Sequence, residues 1–206
     1  MAFVLPEGLA PEVYPLAWLV GRWSGPGVVG YPGIDETAFV QEVVVDHDGG
    51  PYLSYTSTIR LVVAPDDAAA LVDEPGAAPV DGDDAEVDAA PGPAEEHAPV
   101  WSTESGYWRV PPERPDGLSD DQHPVELLLA DPSGHVAIYV GAVGNGRIDL
   151  VSDLIARTAT GAEVSAATRL YGLVQGELMW AHDMAAFGNP MQSYASARLA
   201  RVEDEA

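Results

Sequence analysis

The side chains of this protein best suited to chemistry are its histidines, because the sequence contains no cysteine. An imidazole binds metal ions or transfers protons near neutral pH. His47 lies in the sequence Asp46-His47-Asp48-Gly49, which could bind a metal ion. The glycines that follow it and the lack of a third ligand favour a hairpin turn instead. We therefore predict no metal site.

The other histidines show no catalytic arrangement. His182 lies two residues before Met184 on a predicted strand, so both side chains should face the same side of the sheet. Three more lie beside loops or turns and form no constellation: His97, His123 and His135. Spacing alone singles out neither a Ser-His-Asp triad nor a pair of carboxylates. We predict no catalytic residue.

A tryptophan among glycines marks the start of the folded region. Trp23 lies between Gly21 and Gly25, and Gly27 follows two residues later. The segment comes directly after apolar residues 16–20. Glycine has no Cβ atom, so other backbone can approach closely, which suits the first strand of a barrel. No helical segment with a G-x-x-x-x-G-K-[ST] or G-x-G-x-x-G pattern follows, which argues against a phosphate-binding loop.

The charge of the chain excludes several classes of partner. Its 206 residues include 33 acidic and 9 basic residues, for a formal net charge of −24. This field repels polyanions, so we expect neither nucleic acid nor an anionic membrane as a partner. Residues 1–20 lack the basic start of a signal peptide, and no run reaches the ~20 apolar residues of a membrane-spanning helix. We expect one domain and a cytoplasmic location.

The sequence pattern predicts one short helix followed by ten strands. Residues 11–19 form the helix, which we interpret as a lid or plug. The predicted strands are residues 22–29, 37–46, 52–63, 103–110, 125–130, 135–142, 147–156, 164–174, 177–186 and 192–202. Glycine-containing turns between several of them are typical of hairpins. Consecutive hairpins predict an all-β, ten-stranded antiparallel up-and-down barrel, because closure removes exposed sheet edges.

Residues 64–99 differ in composition from the rest of the chain. They contain eleven acidic residues, six prolines and no arginine. Such a segment cannot bury enough apolar surface to order itself, so we predict a disordered insertion within the single domain. The alternative is a role in binding a partner protein.

Aromatic side chains are predicted to fill much of the barrel interior. The set comprises Trp23, Tyr107, Trp108, Tyr171 and Trp180. A barrel of this size is either filled by side chains or hollow enough for one ligand, and the sequence leaves both possibilities open. The residue types permit a small apolar ligand.

Several segments, in the same order along the chain, resemble the nitrobindin family, whose small barrels are similar in shape to fatty-acid-binding proteins and lipocalins. They are Leu16-Ala17-Trp18-Leu19-Val20-Gly21-Arg22-Trp23-Ser24-Gly25-Pro26-Gly27, Tyr31-Pro32, Tyr52-Leu53-Ser54-Tyr55-Thr56-Ser57, Glu104-Ser105-Gly106-Tyr107-Trp108-Arg109, Ala156-Arg157-Thr158 and Met184-Ala185-Ala186-Phe187-Gly188. The resemblance implies a ten-stranded barrel that holds haem b and binds nitric oxide or isomerises peroxynitrite.

The chain departs from this family at three positions that the resemblance assigns to the haem pocket. The family's iron ligand is a histidine in a Pro-Leu-Gln-x-His-Leu sequence, where this chain has Tyr194. Gly33 replaces the usual threonine after Tyr31-Pro32, and a family lysine is missing near Ala162. A phenol must lose a proton, with a usual pKa near 10, before it becomes a good iron ligand. Arg198, four residues along the strand, would lie about 13 Å away and is no obvious partner for a tyrosinate.

These observations leave three hypotheses. The first is a nitrobindin-like barrel that has lost its axial histidine, does not bind haem in the family's way, has no enzymatic activity, and binds another small apolar ligand or none. The second is a ferric-haem protein that isomerises peroxynitrite, with Tyr194 or His182 replacing the ligand. The third is an interaction protein that acts through the acidic insertion.

Overall fold

The computed structural model describes residues 5–62 and 98–202. Residues 64–97 of the predicted disordered insertion lie outside these ranges. In the described part of the chain, a 3-10 helix (Pro11–Leu19) precedes ten strands. The strands are β1 (Gly21–Tyr31), β2 (Ile34–Asp46), β3 (Tyr52–Leu61), β4 (Val100–Arg109), β5 (His123–Asp131), β6 (His135–Gly144), β7 (Arg147–Arg157), β8 (Val164–Val174), β9 (Glu177–Ala186) and β10 (Gln192–Val202). None of the described helices is long and apolar enough to cross a bilayer.

The ten strands form a closed antiparallel barrel. Each strand pairs with its neighbours in sequence, and β1 also pairs with β10 to complete the ring. The observed strand boundaries agree with the predicted ones to within three residues. The predicted fold class is therefore confirmed, because alternating side chains and glycine turns specify both the strands and their order.

The N-terminal helix packs against one end of the barrel, as expected of a plug. Its Val13 and Leu16 side chains are completely buried. Nε1 of Trp23 donates a hydrogen bond to the carbonyl of Leu19 at 2.8 Å. The helix is 3-10 in type, and Pro15 within it removes an N–H donor from any regular α-helical ladder. The helix thus covers the end where β1 begins and β10 finishes.

The glycines of β1 permit close packing, as their spacing predicts. A Cβ atom at Gly27 would overlap the Phe39 ring and approach the Ser196 carbonyl oxygen at 2.6 Å. At Gly25, it would overlap the Arg198 carbonyl oxygen on β10. Both neighbouring strands can therefore approach β1 only because these positions lack a side chain.

Four of the five aromatic residues predicted in the interior are buried: Trp23, Trp108, Tyr171 and Trp180. The prediction for Tyr107 is wrong, because 51% of its surface is exposed. Adjacent residues of a strand point to opposite faces, so the inward position of Trp108 turns Tyr107 outward. There the Tyr107 ring packs edge-on against Tyr52, with centroids 5.4 Å apart.

Two pairs of strands stop hydrogen bonding before they reach the end of the barrel opposite the helix. Pairing between β7 and β8 runs from Arg147 and Gly172 only as far as Val151 and Thr168. Pairing between β4 and β5 stops at Ser105 and Ala130, where β5 is about to turn. The tip of the β5–β6–β7 meander is therefore not joined by strand pairing to β4 or β8.

Candidate functional site

The barrel contains a cavity of about 340 Å³ at the end opposite the helix. Its deeper wall includes Gln41, Tyr55, Tyr139, Tyr171 and Trp180, and its rim includes Ile34, Trp101, Asp131, His135 and Phe187. An apolar cavity of about 150 Å³ holds one benzene molecule, so this cavity accommodates roughly two such rings. The barrel is therefore hollow, which resolves the alternatives left open by the sequence.

A series of hydrogen bonds links three polar side chains across the deep wall of the cavity. Nε1 of Trp180 donates to Oε1 of Gln41 at 2.6 Å, and Nε2 of Gln41 donates to Oγ of Ser57 at 2.8 Å. Gln41 and Ser57 are both buried. Because these three side chains bond to one another, they can be buried without a large desolvation cost.

An ion pair spans the interior of the barrel between strands that are not neighbours. Nη1 of Arg169 on β8 donates to Oε2 of Glu104 on β4 at 2.8 Å, and Nη2 donates to Oε1 of the same carboxylate. The guanidinium carbon also lies 5.2 Å from the centroid of the Tyr139 ring. Burial opposes the charge of Arg169, but the attraction of Glu104 outweighs it and raises the pKa well above its usual value. Arg169 is therefore a buried, permanently charged group in the wall of the cavity.

Tyr194, the position that the resemblance assigns to the haem ligand, also lines the cavity. Its hydroxyl accepts a hydrogen bond from Nε1 of Trp101 at 2.8 Å. Burial raises the pKa of Tyr194 above its usual value of 10, and the Trp101 hydrogen bond only partly offsets this. The phenol therefore keeps its proton at neutral pH.

His182 and Met184 both line the cavity, which confirms that they share a face of β9. The imidazole meets the Tyr194 ring edge to face, with centroids 5.4 Å apart. Burial, followed by the charge of Arg169, lowers the pKa of His182 well below its usual value of 6.5. Its Nε2 atom is buried and has no hydrogen-bond partner among the described residues. His182 is therefore a neutral imidazole whose accessible surface faces the cavity.

His135 makes polar contacts at the rim of the cavity. Its Nε2 lies 2.9 Å from the carbonyl oxygen of Ala162, and its Nδ1 lies 3.3 Å from Oδ2 of Asp131. Ala162 follows β7, 27 residues along the chain, so only folding brings it to this histidine. Local spacing around His135 shows Asp131 but gives no sign of Ala162.

The remaining predicted positions lie in turns or at strand ends. The loop after β2 contains His47, and Oδ1 of Asp48 accepts the Gly50 N–H at 2.9 Å, as in the predicted hairpin turn. Gly33 has a φ of 89° in the β1–β2 turn, next to the cavity residue Ile34. His123 begins β5, and His97 lies outside the described residues. The described residues contain no group of three or more metal-binding side chains placed to hold an ion.

Comparison with known proteins identifies the family of this barrel. The THAP4-like, heme-binding beta-barrel domain matches residues 12–201. The chain belongs to this family, the nitrobindins. A relative from Beutenbergia cavernae named ferric nitrobindin-like protein is 49% identical over 98% of this chain and 100% of its own length. A relative of the same name from Kineococcus radiotolerans is 41% identical over 98% of this chain and 99% of its own length.

Other nitrobindin relatives carry the name of an enzyme. A protein from a Parafrankia species named peroxynitrite isomerase is 41% identical over 94% of this chain and 81% of its own length. Among solved structures, the crystal structure of Rv2717c from M. tuberculosis superposes with a TM-score of 0.68 and 31% identity, over 95% of this chain and 99% of that one. The family thus includes members named for peroxynitrite isomerisation and members named only for their likeness to nitrobindin.

The cavity residues of this nitrobindin do not fit the haem of the family. The phenol of Tyr194 is protonated and already bonded to Trp101, so it offers iron a poor ligand. The unpartnered Nε2 of His182 is buried, and its ring packs edge to face against the Tyr194 ring.

Proposed function

We propose that this nitrobindin-family barrel binds a small, largely apolar molecule in its cavity and does not hold haem through residue 194. The observation that carries this proposal is the hydrogen bond from Trp101 to the protonated hydroxyl of Tyr194. A ferric ion at this position would have to displace both the proton and the indole donor. In this proposal, the protein binds a ligand and does not catalyse a reaction.

The walls of the cavity support binding of a ligand other than haem. Ligand sites are typically concave and mostly apolar, with a few polar groups that fix orientation. Here aromatic and aliphatic side chains surround a small polar group formed by Arg169, Glu104 and Gln41. Buried polar atoms rarely lack partners, so the free Nε atom of Arg169 is a natural contact for a bound molecule.

Titration with hemin tests the proposal directly. Wild-type protein should give no saturable, shifted Soret band at neutral pH, because the Tyr194 hydroxyl is protonated and bonded to Trp101 and Nε2 of His182 is buried. A matched Tyr194→Phe variant should give the same result. A sharp one-to-one complex in the wild type, lost in Tyr194→Phe, would overturn the proposed role of residue 194.

The second candidate function is that of a ferric-haem protein in which His182 binds the iron. It is favoured by one observation, the neutral imidazole of His182 with its unpartnered Nε2 atom. The imidazole packs edge to face against the Tyr194 ring, with centroids 5.4 Å apart. A one-to-one hemin complex that survives in Tyr194→Phe but is lost in His182→Gln would support this candidate. Peroxynitrite isomerisation would then be the activity to measure.

A further inference from the structure

The buried guanidinium of Arg169 has one occupied edge and one free edge. Its two terminal nitrogens both donate to the carboxylate of Glu104, and Nη1 also approaches the hydroxyl of Tyr171 at 3.4 Å. A guanidinium carries five N–H groups. These three contacts leave the Nε–H and one N–H of Nη2, which point in parallel along the other edge of the planar group. The Nε atom is buried and has no partner in the part of the chain that the structure describes.

Charge balance at Arg169 favours a neutral ligand. Glu104 already neutralises the guanidinium, and the imidazole of His182 is uncharged at neutral pH. A second anion next to Arg169 would lie close to the Glu104 carboxylate and would be buried without a counter-ion, which is costly. The net charge of −24 further opposes the approach of an anion.

Two other polar side chains of the wall are already bonded within the barrel. Gln41 is bonded to both Trp180 and Ser57, and the Tyr194 hydroxyl accepts from Trp101. The free edge of Arg169 consists only of N–H donors, so the ligand must supply an acceptor there. A carbonyl oxygen, with two lone pairs, can accept both parallel N–H groups.

We propose that the ligand is a neutral molecule of about two fused rings whose carbonyl oxygen accepts hydrogen bonds from the free edge of Arg169. Glu104 holds the guanidinium in place for this contact and is a positioning residue. This inference rests on the proposed function, because it assumes that the cavity binds a small molecule.

Three compounds with one carbon skeleton test the inference by calorimetric titration. 1-Tetralone carries the carbonyl, 1-methyltetralin replaces its oxygen with a methyl group, and tetralin-1-carboxylate carries an anion. The measured quantity is the ratio of the Kd of 1-methyltetralin to the Kd of 1-tetralone, because comparing this ratio between proteins cancels the difference in hydrophobicity between the ligands.

The test compares wild-type protein with a double variant, Glu104→Gln/Arg169→Met. Removing both charges avoids leaving Glu104 without its partner, a change that often prevents folding. Arg169→Lys serves as a second variant, because it keeps the charge but loses the parallel pair of donors. Arg147→Met is the matched control, since Arg147 forms an exposed ion pair with Asp149 away from the cavity. Near-ultraviolet circular dichroism establishes that each variant is folded.

The expected result is a ratio about tenfold or more higher in the wild type than in the double variant, because hydrogen bonds from charged donors are the strong ones. Arg169→Lys should lose most of this preference, and Arg147→Met should retain it. Tetralin-1-carboxylate should bind more weakly than 1-tetralone. An equal ratio in all four proteins, or tightest binding of the carboxylate, would overturn the inference and leave cavity binding intact. Failure of both neutral compounds to bind the wild type would instead overturn the proposed function.

Discussion

Nε1 of Trp101 donates a hydrogen bond of 2.8 Å to the hydroxyl of Tyr194 at the open end of the barrel. The two residues lie on β4 and β10, which are not neighbours in the strand order. The bond therefore ties two separate walls of the cavity together. It also fixes the phenol, whose ring packs edge to face against the imidazole of His182.

Replacing Tyr194 with histidine should create haem binding. A neutral imidazole offers iron a lone pair near pH 7, which the protonated phenol does not. In a hemin titration followed at the Soret band, Tyr194→His should bind at least about tenfold more tightly than the wild type, or by ~1.4 kcal/mol. Tyr194→Phe is the control, because it removes the hydroxyl without supplying a ligand. Equal affinity of all three proteins for hemin would contradict the prediction.

Arg201 should be important for anchoring the N-terminal helix. Its guanidinium donates to the carbonyls of Trp18 at 3.0 Å and Val20 at 2.5 Å, and it lies 4.1 Å from the centroid of the Trp23 ring. Arg201→Met should lower the free energy of unfolding by about 1–3 kcal/mol, as measured in urea.

The control for Arg201→Met is Arg147→Met. Arg147 pairs with Asp149, and both side chains are more than half exposed. Exposed pairs of this kind contribute about 0–1 kcal/mol. If both variants lost the same small amount of stability, Arg201 would have no special role in holding the helix.

Adding a methyl group at Gly27 should strain the junction of β1 with both of its neighbours. The new Cβ atom would overlap the Phe39 ring and press on the Ser196 carbonyl. Gly27→Ala should therefore lower the free energy of unfolding by about 1–3 kcal/mol. Gly172→Ala is the control, because the nearest atom to its new Cβ is 3.9 Å away, in Val174. Equal stability of the two variants would show that β1 can shift to fit the methyl group without a loss of unfolding free energy.

His182 should make stability depend on pH. Its pKa is lowered by burial and by Arg169, so between that pKa and pH 6.5 the unfolded chain binds more protons than the folded one. The contribution of His182 to the free energy of unfolding is therefore greatest above pH 6.5 and declines as the pH falls. Relative to His182→Gln, the wild type should lose unfolding free energy between pH 7.5 and pH 5.5, by at most about 1.4 kcal/mol.

The control for this pH effect is His123→Gln, because His123 is exposed at the start of β5. Replacing His182 should change the pH dependence of unfolding free energy more than replacing His123 does. If His182→Gln had the same pH dependence as the wild type, the imidazole of His182 would take up protons equally well in the folded and unfolded chains.

The fold could be predicted from local signals, whereas most of the cavity chemistry could not. Turn glycines and alternating side chains are encoded within a few residues, and they determined the strand order. The ion pair of Glu104 with Arg169 joins residues 65 positions apart, on strands that are not neighbours in the barrel. Nothing in the spacing of these two residues indicates that they meet across the interior.

One error could have been avoided from the sequence itself. Tyr107 and Trp108 are consecutive, so a strand cannot direct both side chains into the same interior. The case of His182 and Met184 shows the same rule applied correctly, because residues two apart do share a face. Which of two adjacent aromatic residues points inward is determined by packing across the barrel, in this case against Tyr55 and Tyr171.

The pairing of β1 with β10 has a consequence for how the protein is made. During synthesis, β1 leaves the ribosome long before its partner, and until residues 192–202 follow, the nascent sheet exposes edges at both β1 and β9. Closure depends on contacts between the most distant strands of the sequence, which favours slow folding. We expect chains that stop before residue 192 to associate through these edges, since the ring can close only when the last strand is present.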